Sequence, residues 1–235
     1  SSSLVNASTW ALMLTGRLLD DDAGDGPAGV LRGLIRRLGE PVVRVAVARS
    51  MKALGQQFVL GQTIGDAVRR GRASAAAQGG GRTTYSFDML GEAARTAADA
   101  VRYHRAYADA ITALLPGCGP DARDNPGISV KLSALHPRYE FAQRERVLRE
   151  LVPRVVELAA LAARGPIGLN IDAEEADRLD LSLDVVAATL ASPSLAGWTG
   201  FGVVVQGYGR RALAVIDWLY ALAARLDRRI MVRLV

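Results

Sequence analysis

GISVKLS (127–133) begins a series of short apolar segments that decides the fold of this chain. PIGLNID (166–172) and FGVVVQG (201–207) follow it, and TTYSFDML (83–90) and RIMVRLV (229–235) flank the series. Nearly continuous apolar runs of this length are typical of strands that are buried on both faces of a parallel sheet. The sequence therefore predicts five parallel strands.

The segments between these strands carry apolar residues at helical intervals. They are residues 92–115, 141–164, 179–190 and 210–226. Strands that alternate with helices predict an α/β fold with crossover helices. No glycine-rich phosphate-binding turn follows the first strand, so the pattern favours a TIM-type (βα)8 barrel over a doubly wound sheet. Five strands do not close such a barrel, and we expect the natural protein to continue beyond residue 235.

The first eighty residues have a different character, with helical patterns broken by turns. A helix is predicted over 63–72, with Thr63 as its cap, and the small residues and glycines of 74–82 predict a linker. We therefore divide the chain into a helical region at 1–80 and the first five βα units of an incomplete barrel at 81–235.

The composition is that of a soluble globular protein, with 50% hydrophobic and 23% charged residues. No apolar run approaches the ~18–20 residues that a membrane span needs, and no basic segment that would mark a secretory signal precedes the first apolar stretch. Cys118 is the only cysteine. It can form neither an internal disulfide nor a thiolate metal site, so we expect a reducing, cytoplasmic setting.

The net charge of +5 gives weak support for a nucleic-acid partner. Most of the excess lies within 1–80 at helical spacings and without interleaved aromatic residues, which favours a solvated helix face. All but two of the 29 basic residues are arginine, and the two lysines are Lys52 and Lys131. Lys131 lies inside an apolar strand, which makes it the more informative of the two.

Polar residues stand near the end of every predicted strand. They are Asp88 with Glu92, Lys131, Asp172, Gln206 and Arg233. Catalytic groups of parallel α/β barrels come from the carboxyl ends of the strands, whereas the barrel interior is packed with branched apolar side chains. A charged residue there is costly unless it pairs with an opposite charge or binds a ligand, so the pattern predicts either a binding site or a buried ion network that organises the core. The ammonium of Lys131 would suit a substrate carboxylate.

Two further groups of residues could take part in chemistry. The acidic run at 172–177 predicts carboxylates at the amino end of the next helix, to which we assign Glu174, Glu175 and Asp177, and we predict no metal site. His136 would either carry a proton or order its loop, and His104 is predicted to lie at the surface of a helix.

Five motifs, in the same order, closely resemble the proline dehydrogenase domain of the bacterial proline utilization A proteins. They are YSFDMLGEAA (85–94), GISVKLSALHPRY (127–139), GLNIDAEEADRLDLSLD (168–184), LAGWTGFGVVVQGYGRR (195–211) and RRIMVRLV (228–235). The resemblance implies a barrel that uses FAD to oxidise L-proline to pyrroline-5-carboxylate and passes the electrons to a membrane quinone. Many members of the family carry an aldehyde dehydrogenase domain further along the chain, and some carry a DNA-binding module before the helices.

Residue by residue, the resemblance implies a cofactor site. Ala173 would contact FAD through its backbone, and Gln206 would hydrogen-bond the isoalloxazine ring. Arg233 would lie near flavin N5, and Val235 would begin a segment that touches FAD. Asp172 would lie beside the substrate and the flavin edge, so Asp172 and Arg233 are the implied catalytic residues.

The implied substrate site is incomplete in this sequence. Lys131 would bind the proline carboxylate, and Glu92 would pair with a substrate-binding arginine. The family's paired arginines and the tyrosines that cover proline belong to the last barrel helix, which this sequence does not contain. The implied chemistry is hydride transfer to the flavin, for which the protein supplies binding, orientation and electrostatics.

The resemblance implies partners as well: L-proline, a membrane quinone and a fused aldehyde dehydrogenase domain. It implies a cytoplasmic protein and allows peripheral association with the inner face of the plasma membrane, and we expect no nucleic-acid contact for this segment. Two alternatives stay open: a flavin barrel like methylenetetrahydrofolate reductase, and an inactive or interaction fragment of a larger protein.

Overall fold

The computed structural model describes residues 59–77 and 83–235, together with residues 45, 48, 49, 51 and 55. The chain divides into two compact units, residues 1–66 and 67–235. Most of the helical region predicted at 1–80 lies outside the described residues. The sheet and the predicted site residues belong to the second unit.

Five parallel strands form one sheet in that unit. They are β1 (Ser86–Asp88), β2 (Gly127–Val130), β3 (Gly168–Ile171), β4 (Phe201–Val205) and β5 (Met231–Leu234). The strands lie side by side in the order in which they occur along the chain. A doubly wound sheet would reverse this order at a switch point, so the prediction of successive barrel units is confirmed.

The α-helices of the described residues are α1 (Ile64–Ala77), α2 (Ala97–Leu114), α3 (Leu132–Leu135), α4 (Arg144–Ala163), α5 (Leu179–Leu190) and α6 (Ala212–Leu226). The longer ones fall where the apolar periodicity predicts them, whereas the single turn α3 is not predicted. The predicted helix at 92–115 begins later, at Ala97, because Thr96 and Asp99 form a capping box there. Among the described residues, no helix is both long enough and apolar enough to cross a membrane.

The helix that follows Thr63 confirms one prediction and corrects another. Thr63 caps it as predicted, because its Oγ1 accepts a hydrogen bond from the Asp66 amide at 3.1 Å. The helix continues to Ala77, so the prediction of a linker is wrong for residues 74–77. The alanines of this segment are strong helix formers, which explains the extension. Residues 78–82 lie outside the described residues.

The two faces of the sheet differ in character. Side chains alternate along each strand, and the outer face under the helices holds the buried apolar side chains, such as Ile128, Leu169 and Phe201. The opposite face, called the inner face below, carries three rows of paired residues. The first row is Ser86, Gly127 and Gly168, the second is Asp88, Ser129, Asn170, Gly202 and Met231, and the third is Val204 and Arg233.

The inner face corrects an assumption made from the sequence. The branched apolar residues expected inside the barrel lie mainly on the outer face, where the helices cover them. The residues of the inner rows are small or polar, with Met231 and Val204 as the exceptions. Small side chains leave space above the sheet, and long side chains from β5 extend into it: Met231 Cε lies 3.1 Å from the position that a Cβ on Gly168 would take.

Candidate functional site

Four charged residues meet at the carboxyl end of the sheet. Lys131 Nζ lies 2.8 and 2.7 Å from the two carboxylate oxygens of Asp88 and 3.2 Å from Asp172 Oδ2. Arg233 Nη2 donates to Asp172 Oδ1 at 3.3 Å. We call Asp88, Lys131, Asp172 and Arg233 the charged cluster. Its two cations and two anions balance, and β5 thereby reaches the residues that follow β2 and β3.

Lys131 is the central cation of this cluster. Burial alone would lower its pKa, but the hydrogen bonds and charges of Asp88 and Asp172 outweigh burial and raise the pKa above its usual value. Lys131 therefore stays protonated at neutral pH. Its backbone N–H donates to Tyr107 Oη at 3.2 Å. Burial raises the pKa of Tyr107 to about 12, so the phenol is neutral.

The sequence predicts either a binding site or a buried ion network, and the charged cluster has features of both. It is an ion network, but it is open to solvent. The side chain of Asp88 is 46% exposed, whereas those of Lys131 and Asp172 are 16% and 17% exposed. A ligand can therefore approach Lys131 from the side of Asp88.

The Arg233 guanidinium reaches across the inner face to β1 and β2. Its Nη1 donates to Ser129 Oγ at 3.0 Å and lies 3.5 Å from Ser86 Oγ. Its Nε is buried and has no hydrogen-bond partner among the described residues. Arg233 thus keeps one buried donor that an acceptor from outside the described chain could satisfy.

The predicted cofactor residues lie along the same edge of the sheet. Gln206 follows β4 and lines a cavity of about 280 Å³, together with Asp172 and Ala173. The Ala173 N–H donates to Asp172 Oδ1 at 3.1 Å. The Val235 N–H donates to Val205 O at 3.0 Å and so extends the ladder between β4 and β5.

Glu92 stands apart from this arrangement. It lies in the loop after β1, and its side chain is exposed. Within residues 59–77 and 83–235 it forms no ion pair. Its pairing with a substrate-binding arginine, which the resemblance implies, stays a prediction.

Glu174 lies 3.4 Å from Arg178 at the start of the next helix, as predicted, but it also has a second role that the sequence does not predict. Its side chain is 9% exposed, and its Oε1 accepts a hydrogen bond from the Ser133 N–H at 3.0 Å. Burial raises the pKa of Glu174. Ser133 in turn accepts hydrogen bonds from the Ala93 N–H, through Oγ at 3.1 Å, and from the Ala94 N–H, through its carbonyl at 2.9 Å.

Ser133 and Glu174 therefore connect the loops that follow β1, β2 and β3, and we call this pair the loop brace. Glu175, next in sequence, is exposed and pairs with Arg178 at 3.0 Å. The sequence does not show which of the two glutamates is buried, because neighbouring acidic residues differ only in the tertiary contacts that the fold gives them. Ser133, Ser129, Ser86 and Tyr107 gave no sequence signal either, since isolated hydroxyl residues are common in strands and helices.

Removing the loop brace should destabilise the fold. Glu174→Ala leaves the buried Ser133 N–H without its acceptor, so we expect the full-length protein to lose about 1–3 kcal/mol of unfolding free energy. Glu174→Gln, which keeps an acceptor oxygen, should lose less. Thermal or denaturant unfolding measures both, and Glu175→Ala is the matched control, expected within about 0.5 kcal/mol of the parent. Equal losses for Glu174→Ala and Glu175→Ala would contradict the brace.

The two histidines and the cysteine contact other parts of the unit. His136 is buried, its Nε2 lies 3.1 Å from Glu150 Oε2, and its Nδ1 accepts from the Arg138 N–H at 3.1 Å. Burial lowers the pKa of His136, which favours the neutral ring. These bonds favour the loop-ordering role over proton transfer.

His104 and Cys118 also lie away from the charged cluster. His104 Nε2 lies 3.3 Å from Glu157 Oε2 on the neighbouring helix but forms no hydrogen bond among the described residues, and Cys118 Sγ donates to the Leu114 carbonyl at 3.2 Å. Within the described part of the chain, no group of three or more potential ligand residues is arranged to hold a metal ion.

Comparison with known families accounts for nearly the whole chain. The family model described as "Proline dehydrogenase" matches residues 72–235. A second model, described as "DNA-binding domain of Proline dehydrogenase", matches residues 1–58. This description counts against our expectation that nucleic acid is no partner of the segment. Nearly all the residues that it matches lie outside the described ones.

Individual relatives agree with this match. The chain is 48% identical, over its whole length, to the Bifunctional protein PutA of Salmonella typhimurium, and it spans 18% of that protein. A crystal structure of a Bradyrhizobium japonicum proline utilization A mutant is 55% identical, with a TM-score of 0.69, over 86% of this chain and 20% of that one.

A more distant structure supports the fold alone. Proline utilization A from Bdellovibrio bacteriovorus is 22% identical and has a TM-score of 0.73, over 83% of this chain and 21% of that one. The agreement of backbones at this low identity confirms the prediction of a partial barrel.

Proposed function

This chain belongs to the proline dehydrogenase family, and from that premise we propose that it contributes part of an FAD-dependent site that oxidises L-proline to pyrroline-5-carboxylate. The observation that carries the proposal is the charged cluster. It presents a protonated lysine and an arginine whose buried donor has no partner among the described residues, at the edge of the sheet where barrel enzymes place their chemistry.

The donor set fits a flavin. An unpaired buried N–H costs about 1–3 kcal/mol, and the flavin ring offers nitrogen and oxygen acceptors that would satisfy Arg233 Nε. Gln206 can both donate and accept at the ring edge. We assign Ala173, Gln206, Arg233 and Val235 to holding the cofactor. When bound, FAD supplies the acceptor for the hydride that proline loses.

The protein residues orient the substrate and balance its charge. We assign the Lys131 ammonium to the proline carboxylate, which would replace Asp88, the more exposed of the two acidic partners of Lys131. Asp172 would remain between Lys131 and Arg233 and lie beside the substrate. The Arg233 cation would stabilise the negative charge that arrives with the electrons. Glu92 would hold a substrate-binding arginine supplied by the remainder of the protein.

The remaining partners follow from the family. We propose that the electrons pass to a membrane quinone, that the protein is cytoplasmic with peripheral attachment to the inner face of the membrane, and that an aldehyde dehydrogenase domain lies elsewhere in the full-length protein. The word "Bifunctional" in the name of the Salmonella relative supports that last point.

The decisive experiment uses the full-length protein. We expect bound FAD in its absorption spectrum, bleaching of that spectrum by L-proline without oxygen, and turnover with a soluble quinone. Bleaching by methyltetrahydrofolate, the reduced partner of methylenetetrahydrofolate, and not by proline would favour the alternative flavin barrel. A colourless preparation that stays inactive after addition of FAD would favour the interaction fragment.

A further inference from the structure

Two serines on the inner face contact the guanidinium of Arg233. Arg233 extends from β5 across the sheet, and its Nη1 lies 3.0 Å from Ser129 Oγ but 3.5 Å from Ser86 Oγ. The two hydroxyl oxygens are 3.3 Å apart. Nη2 is held separately, by Asp172 Oδ1 at 3.3 Å.

Ser129 differs from Ser86 in its surroundings. Ser129 is 0% exposed, so water cannot replace Arg233 as the hydrogen-bond donor to its hydroxyl oxygen. Ser86, in contrast, is exposed. A serine hydroxyl carries one donor and two acceptor positions. Ser129 can therefore accept from Nη1 while it donates to Ser86.

The two contacts fix the plane of the guanidinium. This group is flat, so holding Nη1 and Nη2 also sets the direction of the Nε–H bond. Nε is the buried nitrogen that has no partner among the described residues. Ser129 thus orients the buried donor of Arg233 that has no partner among the described residues.

Building on the function proposed above, we propose that Ser129 is a positioning residue. It fixes the Arg233 guanidinium so that Nε–H is presented to the flavin, and it thereby sets how much more tightly the site binds reduced FAD than oxidised FAD. Without the Ser129 hydroxyl, Arg233 keeps its charge, but the direction of its Nε–H bond is no longer fixed. A preorganised donor stabilises charge only when it points at the acceptor.

The test compares Ser129→Ala with Ser86→Ala in the full-length protein. The measurements are the flavin midpoint potential by potentiometric titration, the FAD content, the proline KM and the melting temperature. For Ser129→Ala we expect the ratio of the dissociation constants of oxidised and reduced FAD to fall about tenfold, which lowers the potential of this two-electron couple by about 30 mV. FAD content and proline KM should stay near the parent values. Ser86→Ala should leave the potential unchanged.

Arg233→Met separates the failure of this inference from the failure of the proposed function. If Arg233→Met lowers the potential and Ser129→Ala does not, Ser129 has no positioning role. If neither variant changes the potential, the assignment of Arg233 to the flavin is wrong, and the inference fails with it. A lower melting temperature for Ser129→Ala at an unchanged potential would show a structural role only.

Discussion

Replacing Arg233 with methionine in the full-length protein should slow the reduction of bound flavin by proline by about 10²–10³-fold, the cost of losing one preorganised donor. The flavin midpoint potential should fall, because the cation favours the reduced ring. Methionine keeps the apolar stem and removes the charge together with the hydrogen bonds of the guanidinium, so strand β5 should remain packed. Stopped-flow reduction and potentiometric titration measure the two effects.

The structure sharpens this prediction. Asp172 loses Arg233 in the variant but keeps Lys131 at 3.2 Å, so no carboxylate is left without a cation. Proline KM should therefore change less than the reduction rate. Arg123→Met is the matched control, because Arg123 is exposed and, within the described part of the chain, its ion pair is with Asp121 in its own loop. An unchanged potential and reduction rate for Arg233→Met would make Arg233 a structural residue of the barrel.

The fold could be predicted from the sequence because apolar strands and helical periods are local signals. The predicted helix at 179–190 coincides with α5, and all five strands fall within their predicted segments. The charged cluster could also be anticipated, since parallel strands bring their carboxyl ends to one edge. Polar residues that end apolar strands therefore meet, whatever their separation along the chain.

The partners of those residues could not be predicted. Ser129 accepts from Arg233, which is distant in sequence, and Glu174 accepts from Ser133 across two loops. Such contacts depend on register and on which side chains the helices cover, and neither is encoded in a local pattern. The same limit explains why the inner face was expected to be apolar: alternation shows that a strand has two faces, but in fully apolar runs it does not show which face the helices cover.

Replacing Lys131 with alanine should raise the proline KM strongly while FAD stays bound. Loss of a desolvated charge pair costs about 2–5 kcal/mol, which corresponds to about 30-fold or more in KM if substrate binding bears the loss. The raised pKa of Lys131 keeps its ammonium charged in the working pH range, so the whole electrostatic contribution is lost with the side chain. None of the proposed cofactor residues depends on Lys131 for a direct hydrogen bond among the described residues.

The competing explanation is that Lys131 only neutralises Asp88 and Asp172, and Asp88→Asn separates the two. If Lys131 binds the substrate carboxylate, removing the charge of its exposed competitor should not raise KM, since the ammonium keeps Asp172 at 3.2 Å. If the ion network is purely structural, Lys131→Ala should leave Asp88 without its cation and Asp172 with Arg233 alone. FAD content and melting temperature would then fall together. Steady-state kinetics, flavin absorbance and thermal unfolding on both variants therefore decide whether Lys131 contacts proline or holds the barrel edge together.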